Sequence, residues 1–86
     1  MVYEVGFKPA ALRQLRKLDE DVQITILAEI ESLADNPRPD GCKKLKGKTD
    51  LYRIRVANAY RVVYEIQDKQ LLVIVVKVGN RREVYR

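Results

Sequence analysis

Three alternating runs packed closely along residues 51–78 restrict the fold more than any other feature. Leu51–Val56, Tyr60–Ile66 and Leu71–Val78 are rich in β-branched and aromatic residues, the composition of strands. Only Ala57-Asn58-Ala59 and Gln67-Asp68-Lys69-Gln70 separate them. Connections this short join antiparallel strands, because a parallel crossover needs about a dozen residues or more. The chain is therefore expected to contain a three-stranded antiparallel meander.

What precedes the meander has a different period. Val2-Tyr3-Glu4-Val5-Gly6-Phe7 alternates as a short strand. Pro9 suits the first position of a helix, where a missing N–H leaves nothing unpaired. Ala11, Leu12, Leu15 and Leu18 then recur at helical spacing, with Arg13, Arg16 and Lys17 between them. Asp19 is expected to cap a second helix, with Glu20 and Asp21 at its positive end and Val22, Ile26, Leu27, Ile30 and Leu33 as its apolar stripe. Asn36-Pro37-Arg38-Pro39-Asp40-Gly41 ends it. With Leu18-Asp19 as the joint, the helices form an αα-hairpin. A strand, a helical hairpin and a meander make an α+β domain spanning 1–86, with the helices on one face of the sheet and basic residues on the other.

Several classes of function drop out. The chain has no histidine and one cysteine, Cys42, which removes His-based nucleophilic catalysis and leaves no zinc- or iron-ligand pattern. No metal site and no cofactor are expected. No apolar run approaches ~18 residues, so no membrane helix is expected. The first residues lack the pattern of a signal peptide, and the cytoplasm is the expected location.

Charge is unevenly distributed. The net charge is +5, but residues 1–40 carry −3 and residues 41–86 carry +8, which points to a polyanionic partner for the second half. Alternation then sorts the strands. Tyr52, Ile54 and Val56 share one face, as do Tyr60, Val62, Tyr64 and Ile66, and Leu72, Ile74, Val76 and Val78. These sets are expected under the helices. Arg53, Arg55, Arg61 and Lys77 would then stand together on an uncovered face, with Glu65 as its one acid. Lys43, Lys44, Lys46 and Lys48 precede this face in sequence, and Arg81, Arg82 and Arg86 follow it. A basic, arginine-rich stripe is the footprint of a phosphate or nucleic-acid ligand. Gly79 is expected to bend the chain off the sheet. Tyr85 would supply a ring to stack on a base and a phenol to move a proton.

In order and spacing, these segments resemble the RelE branch of the RelE/ParE superfamily of toxin–antitoxin modules. The resemblance runs through Phe7-Lys8-Pro9-Ala10-Ala11-Leu12, Arg16-Lys17-Leu18, Lys44-Leu45-Lys46-Gly47, Leu51-Tyr52-Arg53-Ile54-Arg55-Val56, Tyr60-Arg61-Val62-Val63-Tyr64 and Val78-Gly79-Asn80-Arg81-Arg82-Glu83-Val84-Tyr85. It implies a ribosome-dependent endoribonuclease that cuts mRNA in the ribosomal A site without a metal, by attack of a 2′-hydroxyl on its own phosphate. It also implies a small acidic RelB-like antitoxin as partner, with operator DNA contacted only through the complex. By the same resemblance, Arg61 and Arg81 hold and stabilise the scissile phosphate, and Tyr85 stacks or transfers a proton. Arg53 and Arg55 stand where other members carry lysines. Arginine is too basic a group to act as a base near neutrality, so the general base is open among Tyr85, Lys77 and Lys46. Two other functions fit the same pattern: a ParE-like poison of gyrase without nuclease activity, and a small RNA-binding module without catalysis.

Overall fold

The computed structural model describes residues 2–47 and 50–80. In chain order they form β1 (Glu4–Phe7), α1 (Pro9–Arg16), α2 (Glu20–Ser32), β2 (Lys43–Lys44), β3 (Leu51–Val56), β4 (Tyr60–Gln67), a 3-10 turn (Asp68–Gln70) and β5 (Leu72–Asn80). The strands make one sheet in the order β1-β5-β4-β3-β2. The α+β class, the helical hairpin and the meander β3-β4-β5 are as expected. Two pairings were not visible in the pattern. β1 lies parallel to β5, and β2 pairs antiparallel with β3 at the opposite edge.

Pro9 occupies the first turn of α1, and the preceding Lys8 N–H donates to the Val75 carbonyl at 2.8 Å. Asp19 stands at the N-cap of α2, but its carboxylate makes no capping bond. The joint is held instead by Gln23, whose Nε2 donates to the carbonyls of Leu18 at 2.7 Å and Arg16 at 3.3 Å. A carboxamide one turn into α2 thus ties down the end of α1, which a side-chain cap would not do.

The core lies between the helices and one face of the sheet. Ala11, Leu15, Ile26, Ile30 and Leu33 pack against Ile54, Val56, Val62, Tyr64, Ile66, Val73, Val75 and Val78. The expected sets from β3 and β4 are the ones buried. In β5 strict alternation fails. Val63 pairs with Lys77 but Tyr64 pairs with Val75, leaving Val76 as an extra residue. A bulge of this kind shifts the side-chain phase by one. Val73 and Val75 therefore enter the core together with Val78, in place of the expected Leu72, Ile74 and Val76. Beyond the end of β1, the Val78 N–H donates to Gln14 Oε1 of α1 at 2.9 Å, so a side chain satisfies the edge of β5 where no strand does.

One end of the sheet is bolted to the loop after α2. Buried Tyr64 donates its hydroxyl to the Pro37 carbonyl at 2.8 Å. Tyr52 stacks beside Tyr64 with ring centroids 6.1 Å apart, and the Arg38 guanidinium lies 5.1 Å from the Tyr52 ring centre. Arg38 grips both oxygens of Asp68, at 3.2 and 2.9 Å, and the Tyr3 hydroxyl donates to Asp68 at 2.7 Å. The Arg38 hydrogen bonds, followed by that of Tyr3, hold the Asp68 carboxyl at about 2.

Two predictions follow from this clamp. Tyr64→Phe leaves the Pro37 carbonyl without its donor, and the expected loss is ~1–2 kcal/mol, read as a lower urea midpoint with an unchanged slope. For Asp68 the folded-state value is depressed. Its contribution is complete above about pH 4, the range of an unfolded-chain carboxyl, and is lost as pH falls through about 2. Asp68→Asn should therefore unfold at a lower urea concentration than wild type at pH 7 and converge on it at low pH. The gap should also shrink in high salt, since the pair is half-exposed.

Candidate nucleic-acid interface

The strand register brings the predicted cations together. Lys43 lies opposite Arg53, Arg53 opposite Val63, and Val63 opposite Lys77. In the next row Arg55 lies opposite Arg61, and Arg61 opposite Gly79. Directly opposed residues in antiparallel strands point to the same face, with Cα atoms about 4.5–5.5 Å apart. Five cations thus share the face turned away from the helices. Lys44 pairs with Tyr52 and belongs to the other side of the sheet. Lys46 sits in the exposed turn after β2. Lys48, Arg81, Arg82, Tyr85 and Arg86 lie outside the described residues.

This face is not the open one expected from alternation. Arg61 is 1% exposed and Arg53 6%, whereas Arg55 and Lys77 are exposed. Arg61 is in the central strand, and its guanidinium turns back to donate from Nη1 to the Tyr60 carbonyl at 3.2 Å. Arg53 pairs with Lys43 of β2, a strand that does not extend to Arg55. Gly79 does not bend the chain away; it stays in β5, buried opposite Arg61.

Burial has left these arginines short of partners. Arg61 Nε and Arg53 Nη1 are buried with no hydrogen-bond acceptor. Among the described residues, the one ion pair is Arg38–Asp68, at the clamp. Glu65, the acid of this face, is engaged by Gln67 Nε2. An unpaired buried donor is destabilising by about 1–3 kcal/mol, and more when charged. An anion that reached such donors would bring acceptor oxygens of its own. Composition marked the basic face, but nothing in the alternation distinguished the buried arginines from the exposed ones.

The likeness to known proteins has the same extent as the fold. The model of the ParE toxin of type II toxin–antitoxin systems matches residues 5–85. A RelE-like toxin protein of Escherichia coli is 38% identical over 82 residues, covering 94% of this chain and 85% of that protein. The mRNA interferase toxin RelE of Escherichia coli K12 is 34% identical over 88 residues, covering 99% and 92%. The chain belongs to the RelE/ParE toxin family. Among solved structures, the intact RelBE toxin–antitoxin complex of Escherichia coli superimposes with a TM-score of 0.80 at 32% identity, covering 91% of this chain and 95% of that one. The chain is thus a RelE-type toxin, and its five-strand sheet with a helical hairpin is the family's fold.

If the arginines are held at the expense of stability, removing one charge while keeping its bulk should relieve the fold. Arg61→Met is expected to raise the urea midpoint, by the equivalent of ~1 kcal/mol or more. A midpoint lowered by a similar amount would mean that the guanidinium contributes to the folded state.

Proposed function

We propose that this RelE-type toxin is an endoribonuclease that cuts mRNA in the ribosomal A site and so arrests translation. The observation that carries the proposal is the pairing of Arg55 with Arg61, beside Arg53, on a face where buried guanidinium nitrogens lack acceptors. The name of the Escherichia coli K12 relative, an mRNA interferase, supports RNA as the substrate.

In the proposed reaction the 2′-oxygen bonds to the adjacent phosphorus and the bond to the 5′-oxygen breaks. The products are a 2′,3′-cyclic phosphate and a free 5′-hydroxyl. A base removes the 2′ proton, and an acid protonates the departing 5′-oxygen. The phosphorane between them carries two negative charges, which Arg61, Arg55 and Arg53 offset from this side, with no metal ion required by the scheme. Arg81 adds to this at the leaving group. Because guanidinium stays protonated, the base is a lysine or a tyrosine. Lys77 stands one register row from Arg61, nearer the arginines in register than Lys46 in the turn. Tyr85 is the other contender, with a stacking role as its alternative. Lys43, Arg82 and Arg86 would hold flanking phosphates, as would Lys44 and Lys48 along the edge of the ribosomal contact. The partner that restrains the toxin is a RelB-like antitoxin, as in the solved RelBE complex, and the setting is the cytoplasm. The whole of 1–86 acts as one domain in this scheme.

Single-turnover cleavage on programmed ribosomes tests the proposal. Arg61→Met should lose ~10²–10³ in rate, as for one preorganised contact to a developing charge, while still binding ribosomes. Unchanged cleavage would remove Arg61 from the site. Tyr85→Phe and Tyr85→Ala separate its roles. Equal losses of ~10²–10⁴ mark proton transfer. A loss confined to Ala marks stacking, worth ~1–3 kcal/mol. Full activity in both sends the base to Lys77, whose Ala variant should then flatten the pH–rate profile.

A further inference from the structure

A cleft of about 330 Å³ opens where β2 ends and the edge of β3 continues alone. Lys43, Arg53 and Arg55 line its sheet wall, and Glu29 of α2 and Asp40 line the other. The chain turns away from β3 at Gly41, whose φ of +88° suits glycine. On the edge away from β4, no strand among the described residues pairs with β3 beyond Arg53, so the backbone N–H and C=O of Arg55 point into the gap.

Opposite charges share this cleft without joining. No ion pair links Glu29 or Asp40 to its cations among the described residues. Arg53, nine-tenths buried, is one of the residues lining the cleft, and its Nη1 is withdrawn from solvent with no partner. A ligand that satisfied both walls would carry an anion at one end and hydrogen-bond donors at the other. A nucleotide has that layout. Arg55 belongs both to this cleft and to the row that contains Arg61. A phosphate shared between them would therefore leave its adjoining nucleoside at the mouth of the cleft.

We infer that the cleft is a base-reading subsite in which Glu29 and Asp40 select a nucleobase bearing an exocyclic amino group. This rests on the mRNA-cleaving function proposed above. An ionised carboxylate only accepts hydrogen bonds. It suits the N4 amino group of cytosine, the N6 of adenine or the N1 and N2 donors of guanine. Uracil presents two carbonyl oxygens around its single N–H, and these face the carboxylates unfavourably. The acids weaken general attraction to RNA and in return reject the wrong base. Single-stranded RNA exposes these edges for reading.

The test uses the full chain on ribosomes programmed with A-site codons that differ in one base at a time. At one codon position, wild type should cut substrates with an amino-bearing base about tenfold faster than those with uracil, the scale of one good base contact. Glu29→Gln and Asp40→Asn keep the shape, and their amides can donate to the uracil carbonyls. Both side chains are exposed, so the fold should persist, and combining the two changes should bring the ratio near unity. Cleavage with an unchanged preference would overturn the inference and leave the nuclease function standing. So would weakened antitoxin binding with unchanged preference, which would make the cleft a seat for a peptide. No cut at any codon in wild type would overturn the nuclease function itself, and the inference with it.

Discussion

The extra residue in β5 is the constraint on which the rest of the sheet depends. Without it, alternation from Val73 and Val75 would place Lys77, not Val78, towards the helices. A lysine would then sit where the core needs an apolar side chain, and desolvating that charge would be costly. With Val76 left over, Val73, Val75 and Val78 all reach the core, and Lys77 turns to the face of Arg53 and Arg61. One bulge thus serves both layers, closing the core on one side and assembling the cations on the other. Gln14 completes the arrangement by accepting the Val78 N–H beyond the end of β1.

The two ends of the sheet treat charge in opposite ways. At the Arg38 end, guanidinium, carboxylate and phenol satisfy one another and lie against stacked rings. That end is built for rigidity. On the basic face, Arg53 and Arg61 are buried deeply enough to lose water, yet their nitrogens are not all paired. Guanidinium stays protonated under any ordinary condition, so the strain cannot be relieved by losing a proton. In the proposed function, an incoming phosphate would supply the missing acceptors.

Family membership and chemistry stand on different observations. The fold is shared across the RelE and ParE toxins, and a fold alone does not specify an activity. The proposed chemistry rests instead on the local arrangement, with Arg55 facing Arg61 across β3 and β4 and Gly79 opposite Arg61 on β5.

The order of elements was legible in the residues themselves. Short connectors after Val56 and Ile66 require antiparallel pairing, and Pro9 with the Leu12–Leu15–Leu18 spacing requires a helix. These are local rules, imposed by backbone sterics and by the periods of helix and strand. The gathering of Arg53, Arg55, Arg61 and Lys77 on one face was legible too, since alternation holds through β3 and β4, and the bulge brings Lys77 back into line with Arg53. Burial was not. Arg53 and Arg61 are withdrawn from water, whereas Arg55 and Lys77 on the same face are exposed. The two-residue β2 pairs with Arg53 but stops short of Arg55, and it is too short to announce itself in a pattern. The Arg38–Asp68–Tyr3 clamp joins three segments far apart in sequence. The Glu29–Asp40 wall stands opposite β3 only once α2 has packed. Periodicity acts over neighbouring residues, whereas solvent exclusion and charge pairing depend on distance in space, and those only the tertiary structure could decide.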